Sequence, residues 1–239
     1  MKKLLLTACL AVLALTASAS EGLTKYVNPL LGTATLWEFE DLKFKATRRA
    51  WGAEVFPGAS LPFAMVQTTP ITQLHSGSGY QYEDKTIQGF GHTCKGHWNL
   101  LHVPLMPVTG RYSANNFASE YSHENETAHP GYYQVFLKRY DINAEVTGTL
   151  RCAYHKYTFK ADDDKALIAD MPHSNSNVKD WSLQKEGTNT FSGSQNGEGR
   201  IFFWRWQTTI STKSSNSKAA TTAYRLSVSR TAKAQCRWN

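Results

Sequence analysis

Tyr132-Tyr133-Gln134-Val135-Phe136-Leu137, Ile142-Asn143-Ala144-Glu145-Val146-Thr147-Gly148-Thr149-Leu150 and Tyr154-His155-Lys156-Tyr157-Thr158-Phe159 decide the fold class. The first run is aromatic and β-branched and opens after Pro130-Gly131. The second and third alternate apolar and polar residues with period two, the pattern of strands with one buried face. Further along, Ala166-Leu167-Ile168-Ala169-Asp170, Asn189-Thr190-Phe191-Ser192-Gly193 and Arg200-Ile201-Phe202-Phe203-Trp204 read as strands. Gly, Pro, Asn and Asp separate these runs at spacings near those of a sandwich. No sustained 3.6 period and no internal repeat stands outside the N-terminal stretch, so the body reads as all-β.

The chain has 239 residues, 41% hydrophobic and 12% aromatic, enough to bury a sizeable core in one sandwich-sized domain. Residues 1–19 read as a secretory signal peptide. Lys2 and Lys3 form its positive start, Leu4 to Leu15 a short apolar run, and Ala17-Ser18-Ala19 an A-x-A cleavage site. The run is too short to span a bilayer, and no second long apolar segment follows. Export to the periplasm or beyond the cell is therefore expected. The net charge of +7 is carried by the ends: Lys2, Lys3, Lys213, Lys218, Arg225, Arg230, Lys233 and Arg237. Setting these eight aside leaves 18 basic against 19 acidic residues, so no basic face for nucleic acid is expected on the folded body. From about residue 207 the chain turns rich in Ser, Thr, Ala, Lys and Arg and carries no acid. Residues 20–206 are expected to be the domain and 207–239 a disordered basic tail, shifted out of frame from a point between Phe203 and Ile210. Export permits a disulfide between Cys94 and Cys152, which sequence does not decide.

Several motifs follow in order: Tyr26-Val27-Asn28-Pro29-Leu30-Leu31-Gly32-Thr33, Phe56-Pro57-Gly58-Ala59-Ser60-Leu61-Pro62-Phe63-Ala64-Met65-Val66-Gln67, Gly77-Ser78-Gly79-Tyr80-Gln81-Tyr82 and Ile87-Gln88-Gly89-Phe90-Gly91-His92-Thr93. Met106-Pro107-Val108-Thr109-Gly110 and Tyr121-Ser122-His123-Glu124-Asn125-Glu126-Thr127-Ala128-His129-Pro130-Gly131-Tyr132-Tyr133 complete the set. In this order and spacing they resemble the N-terminal domain of family 92 glycoside hydrolases, calcium-dependent exo-α-mannosidases, over about residues 24–204. The resemblance implies an antiparallel β-sandwich of the galactose-mutarotase-like supersandwich type, here partial. In the family this domain packs on a C-terminal (α/α)6 barrel. That barrel carries a Glu general acid, an Asp general base and most of the calcium ligands, and the reaction inverts the anomeric centre of a terminal α-mannose, as in N-glycan processing. Inversion needs an acid on the leaving oxygen and a base activating water on the opposite face. Calcium takes oxygen ligands.

The resemblance places the segment from Gly89 to Thr93 at the sugar pocket, and here it runs on as Cys94-Lys95-Gly96-His97-Trp98-Asn99-Leu100. The candidate substrate-binding residues are Leu30, His92, Cys94, Gly96, His97, Trp98 and Asn99. Trp98 is suited to stacking on a sugar face, and His97 and Asn99 to hydroxyl hydrogen bonds. Leu30 matches a position whose backbone approaches the mannose in relatives. The Cys-Lys-Gly-His-Trp-Asn run departs from the small residues common in the family, and Ala64 replaces a frequent Gly, so linkage preference stays open.

The sequence also offers residues for other chemistries. His92, His97 and His102 with Cys94 invite a metal, but a spacing of five suits neither a helix face nor a strand face. Glu124 and Glu126 would share a face if extended, yet salt-bridged or solvated roles fit their motif better. Trp51 and Trp181 are expected in the core, and Asp162-Asp163-Asp164 in a turn rather than around calcium. The expected function is the N-terminal domain of an exported inverting α-mannosidase. It contributes pocket wall and contacts to a mannose-containing glycan, and lacks acid, base and calcium without the (α/α)6 domain. The alternative is a freestanding carbohydrate-binding module without catalysis.

Overall fold

The computed structural model describes residues 22–36, 50–51, 54–94, 100–113, 115–160, 164–187, 190–211 and 220–229. Among the described residues sixteen strands follow one another. They are β1 (Thr35–Leu36), β2 (Ala50–Trp51), β3 (Thr69–Ile71), β4 (Thr86–Ile87), β5 (Gly89–His92), β6 (His102–Thr109), β7 (Ser119–Glu120) and β8 (Glu126–His129). The second half holds β9 (Tyr132–Leu137), β10 (Ile142–Gly148), β11 (Cys152–Phe159), β12 (Lys165–Ala169), β13 (Asp180–Lys185), β14 (Thr190–Gly197), β15 (Gly199–Ser211) and β16 (Ala220–Ser229). Among the described residues the only helical pieces are 3₁₀ turns at Thr24–Tyr26, His123–Asn125 and Lys138–Tyr140.

An eight-stranded sheet runs β13-β14-β15-β16-β11-β10-β9-β8, and a four-stranded sheet runs β12-β6-β5-β3. All pairings are antiparallel. The alternation read from sequence is the packing observed. Tyr133, Val135 and Leu137 of β9, Ile142, Ala144 and Val146 of β10, and Ala153, Tyr157 and Phe159 of β11 are all buried. Together with Phe90 of β5 and Val103, Leu105, Met106 and Val108 of β6 they form one core, so the two sheets make the expected β-sandwich.

All eight residues of β6 are buried. A strand enclosed on both faces reads as a continuous apolar run rather than an alternation. Two prolines hide it further, because proline removes a ladder donor. Pro104 falls where the pairing of β5 with β6 shifts register between Phe90 and His92, the kind of bulge that tolerates it.

The disordered tail expected from residue 207 is corrected here. β15 continues to Ser211, and β16 runs from Ala220 to Ser229 in the middle of the sheet, between β15 and β11. Tyr224, Leu226 and Val228 alternate with Arg225, Ser227 and Ser229, a strand pattern masked by the Ser- and Thr-rich composition. The signal-peptide reading of residues 1–19 lies outside the described residues. Among the described residues no helix is long and apolar enough to cross a membrane.

Candidate functional site

The segment singled out as the glycan loop leaves β5 at His92 and enters β6 at His102. Gly96, His97, Trp98 and Asn99 lie outside the described residues, so what the structure gives is the frame from which they hang. Four residues of that frame hold left-handed backbone without being glycine: Thr93 (φ 60), Leu100 (φ 68), Leu101 (φ 55) and Val103 (φ 51). For the β-branched Thr93 and Val103 this is a costly conformation, and such strain, on the order of 1–3 kcal/mol per residue, persists only where neighbours enforce it.

The neighbours are two buried amides and a serine. Gln195 of β14 accepts from Val103 N at 2.7 Å and donates its Nε2 to Met171 O at 2.7 Å and His173 O at 3.0 Å. Asn175 Oδ1 accepts from Ser76 N at 3.2 Å while its Nδ2 donates to Ser76 O at 2.7 Å. The Asn175 backbone N donates to Leu100 O at 3.0 Å, and Leu100 N donates to Ser176 Oγ at 2.9 Å. The 73–79 turn, the 170–177 segment and the end of the glycan loop are thus tied at one place by side chains that water does not reach.

His92 faces inward. It is fully buried, and its Nδ1 lies 3.2 Å from His102 O and 3.0 Å from Val103 O. Both partners are carbonyls, so Nδ1 carries the proton and Nε2 must accept. His155 Nε2 donates to it at 2.8 Å, and Tyr157 Oη then donates to His155 Nδ1 at 2.9 Å. Burial lowers the pKa of His92 to about 4 and holds His155 well below the usual histidine range, His92 adding a smaller like-charge effect. His92 is therefore a neutral link between the sheets, and neither nitrogen is left for a sugar hydroxyl or a metal.

Cys94 is also buried, in a small cluster with Ile71 and Leu101, and its Sγ donates to Ser78 O at 3.5 Å. Leu30 sits in a turn capped by its own neighbours. Leu30 N donates to Asn28 Oδ1 at 3.0 Å, Leu30 O accepts from Thr33 Oγ1 at 2.7 Å, and the side chain packs on the core. The Gly77–Tyr82 motif joins the two places, since Tyr82 N donates to Thr33 O at 3.2 Å while Ser78 holds Cys94. Gly79 makes this possible: its φ is +82°, and a Cβ there would lie 2.0 Å from Leu101 Cδ1.

Beside the anchored end of the loop opens a cleft of about 420 Å³. Asn175, Ser176 and Gly197 are its buried lining, and His75, Asn177, Lys179 and Glu198 its exposed one. The residues around it come from three distant segments and share no motif. Trp181, expected in the core, is 48% exposed on the edge strand β13. All six residues of β13 are exposed, so alternation there does not report a buried face. The side chain of Trp51 lies outside the description.

A second polar cluster explains the Glu124 and Glu126 pair. Tyr80 Oη donates to Glu126 Oε1 at 2.9 Å, and Tyr133 Oη donates to the same oxygen at 2.6 Å. His123 Nδ1 lies 2.6 Å from Glu126 Oε2, and its Nε2 donates to Tyr82 O at 2.7 Å. Burial first, and then the Glu126 charge, push both tyrosines far above their ordinary pKa, so they remain neutral donors. The carboxylate is committed to holding β8 and β9 against the Tyr80 segment. Glu124 is exposed in the 3₁₀ turn, so a spacing of two does not bring the pair together.

Among the described residues no three His, Cys, Asp or Glu side chains gather as a metal site. Asp162 and Asp163 lie outside the described residues.

Comparison with known proteins adds the following. The protein-family model described as Glycosyl hydrolase family 92 N-terminal domain matches residues 26–233. A family GH92 α-mannosidase from Bacteroides thetaiotaomicron, solved in complex with mannoimidazole, superposes with a TM-score of 0.70 at 23% identity. The match covers 86% of this chain and 32% of that one. A family GH92 inverting mannosidase from Bacteroides thetaiotaomicron VPI-5482 superposes with a TM-score of 0.62 at 19% identity, covering 85% and 29%. A protein named uncharacterized secreted glycosidase from Arthroderma benhamiae is 26% identical over 168 residues, 65% of this chain and 20% of that protein. The chain thus spans about a third of the length of the solved relatives and a fifth of the curated one. The match through residue 233 runs across the segment expected to be out of frame.

Proposed function

The chain belongs to the glycosyl hydrolase family 92 N-terminal domain family, and on that premise we propose that it is the pocket-wall domain of an exported α-mannosidase. It holds a terminal α-mannose of a glycan, while the general acid, the general base and calcium come from the helical domain that accompanies it in the family. The observation that carries this reading is the strained, amide-anchored frame of the 95–99 loop beside a polar cleft. Strain enforced by buried hydrogen bonds suits a loop whose geometry must be kept for a ligand. The buried carboxylate at Glu126 is fully engaged in structure, which argues against acid–base chemistry there.

A partner domain also accounts for the N-terminal turn. Leu23, Tyr26, Val27 and Leu31 are 69%, 76%, 53% and 79% exposed, and the 3₁₀ turn between them buries no residue. An apolar strip of this kind is a docking surface, and the helical domain is the occupant we assign to it.

The test is saturation-transfer NMR of the full chain with methyl α-mannoside, alongside a hydrolysis assay on α-mannobiose with calcium present. The expected result is weak sugar binding, lost in Trp98→Ala, with no hydrolysis. Cleavage of mannobiose by the chain alone would overturn the non-catalytic role. Absence of any saturation transfer would overturn the sugar-holding one. Micromolar binding would instead favour a freestanding carbohydrate-binding module.

A further inference from the structure

Both ring nitrogens of His123 face acceptors. Nδ1 lies 2.6 Å from Glu126 Oε2, and Nε2 lies 2.7 Å from the backbone oxygen of Tyr82. A carbonyl cannot donate, so Nε2 carries a proton. The Glu126 side chain is wholly buried, and its carboxylate takes the hydroxyl protons of Tyr80 and Tyr133 at 2.9 and 2.6 Å. A carboxylate served in this way accepts from the ring as well, so Nδ1 also carries a proton. The ring is then an imidazolium paired with a buried anion, and its setting suits a cation. The Tyr82 ring stacks on it at 3.9 Å with the planes 3° apart, and the Tyr121 ring stands at 86° to it, 5.4 Å away.

The other ionisable groups nearby have different commitments. Burial above all holds Tyr80, Tyr121 and Tyr133 above the ordinary tyrosine range, so they stay neutral. Asp84 accepts from Thr72 Oγ1 at 2.7 Å, and Glu83 accepts from Thr35 N at 3.0 Å. Lys85, Glu124 and Lys138 are exposed and line, with His123, a cleft of about 380 Å³. The His123 side chain is 24% exposed, so water can bring and remove a proton.

The oxygen that His123 holds belongs to a residue that in turn holds the N-terminal turn. Tyr82 N donates to Thr33 O at 3.2 Å, and Thr33 N and Oγ1 both donate to Leu30 O, at 3.2 and 2.7 Å. Hydrogen bonds thus run from Glu126 on β8 through His123 and Tyr82 to the turn that carries the exposed Leu31. Loss of one ring proton breaks this connection. A bare Nδ1 would point its lone pair at the Glu126 carboxylate, and a bare Nε2 would point one at the Tyr82 carbonyl. Either contact is repulsive, and the ring must leave one partner.

We propose that His123 and Glu126 form a proton-held latch, which ties the Tyr82 segment and the N-terminal turn to β8 and β9 while the ring is doubly protonated and releases them as rising pH removes a proton. The sign is opposite to that of His92, which is buried neutral. The latch fixes one surface turn, so its opening shows in local signals rather than in the global unfolding midpoint. It stands on its own geometry. Only its consequence, a proton-dependent seat for the helical domain, rests on the docking role proposed above.

The experiment is NMR of the ¹⁵N-labelled full chain, following the imidazole nitrogens of His123 and the backbone amides from pH 6 to pH 9. Two protonated ring nitrogens are expected at pH 6. As the ring loses a proton, the amides of Leu31, Thr33 and Tyr82 are expected to shift along the same curve. Glu126→Gln keeps the shape of the side chain and offers an amide donor to Nδ1. Its ring is expected to show a bare Nδ1 from pH 7 upward, with the three amides steady. His123→Gln, at a partly exposed position, removes the titrating ring and is expected to abolish the response of Leu31. A bare nitrogen on the wild-type ring at pH 6 overturns the latch, as does a ring that titrates while the three amides stay still. A Leu31 response that persists in His123→Gln overturns it as well. None of these outcomes bears on the sugar-holding role, which the saturation-transfer measurement tests separately.

Discussion

At the scale of single residues, the histidines divide by environment rather than by motif. His92 was legible as part of the Gly-Phe-Gly-His-Thr motif, but nothing in the motif tells a pocket histidine from a core one. The deciding partner, His155, lies 63 positions away on β11, where it occupies an ordinary alternation site. The same holds for Asn175 and Gln195, which do the anchoring and belong to none of the motifs. Buried polar residues of this kind are invisible to periodicity, because their burial is decided by a distant hydrogen-bond partner. The His92–His155 link has a consequence for acid stability. The folded pKa of His92 is about 4 against an ordinary 6.5, lowered by burial. Between those values the unfolded chain takes up a proton that the folded chain refuses. Stability is thus fully present above about pH 6.5 and is lost as pH falls toward 4, by roughly 3 kcal/mol from this residue alone. His155 acts in the same direction. Urea unfolding followed by tryptophan fluorescence should show a clearly lower midpoint at pH 5 than at pH 7.5, a range in which most carboxylates stay ionised. An unchanged midpoint would mean that the two rings are not buried neutral.

At the scale of elements, β9, β10 and β11 were readable because each buries one face and exposes the other. β6 was not, because both its faces are covered, and β13 was not, because neither is. β16 was lost to composition: it lies in a stretch rich in Ser, Thr, Lys and Arg without acids, yet it fills the gap between β15 and β11. The motif around Phe56-Pro57-Gly58 was legible as a string, and the structure gives its reason. Ala59 N donates to Thr68 O at 2.8 Å, and Thr68 N returns to Ala59 O at 3.0 Å. The two backbones come so close that a Cβ on Gly58 would stand 2.0 Å from Thr68 O and 2.6 Å from Thr69 Cα. Backbone atoms cannot step aside as a side chain can. Gly58→Ala should therefore cost about 2–3 kcal/mol, read as a drop in the melting temperature of several degrees. The control is Gly131→Ala. Gly131, unlike Gly58, has open space, with nothing within 4 Å of a Cβ, so Ala there meets only the backbone cost of a φ of +78°, about 1 kcal/mol. If the two variants melt alike, the close approach at Gly58 is not what the motif protects.

At the scale of the whole molecule, the order of motifs marked the family, while the surface those motifs build was not readable from it. Tyr26, Val27 and Leu31 belong to the first motif, but only Leu30 among the apolar residues of that stretch packs on the core. Its neighbours point outward, along with Phe63, which is fully exposed in left-handed backbone (φ 57) within the second motif. A large apolar side chain that is both exposed and strained gains nothing from the domain that carries it, so its environment must come from elsewhere. If the strip from Leu23 to Leu31 is the seat of a partner domain, the chain by itself should bind a hydrophobic dye and associate with rising concentration. The variant Tyr26→Ser, Leu31→Ser should suppress both while leaving the melting temperature within a degree or two, because neither side chain is part of the core. Sedimentation velocity between about 5 and 200 µM, paired with thermal melts, reads both quantities. A wild-type chain that stays monomeric without dye binding would show that the strip needs no cover. A variant that melts many degrees lower would show that these side chains already pack within the domain.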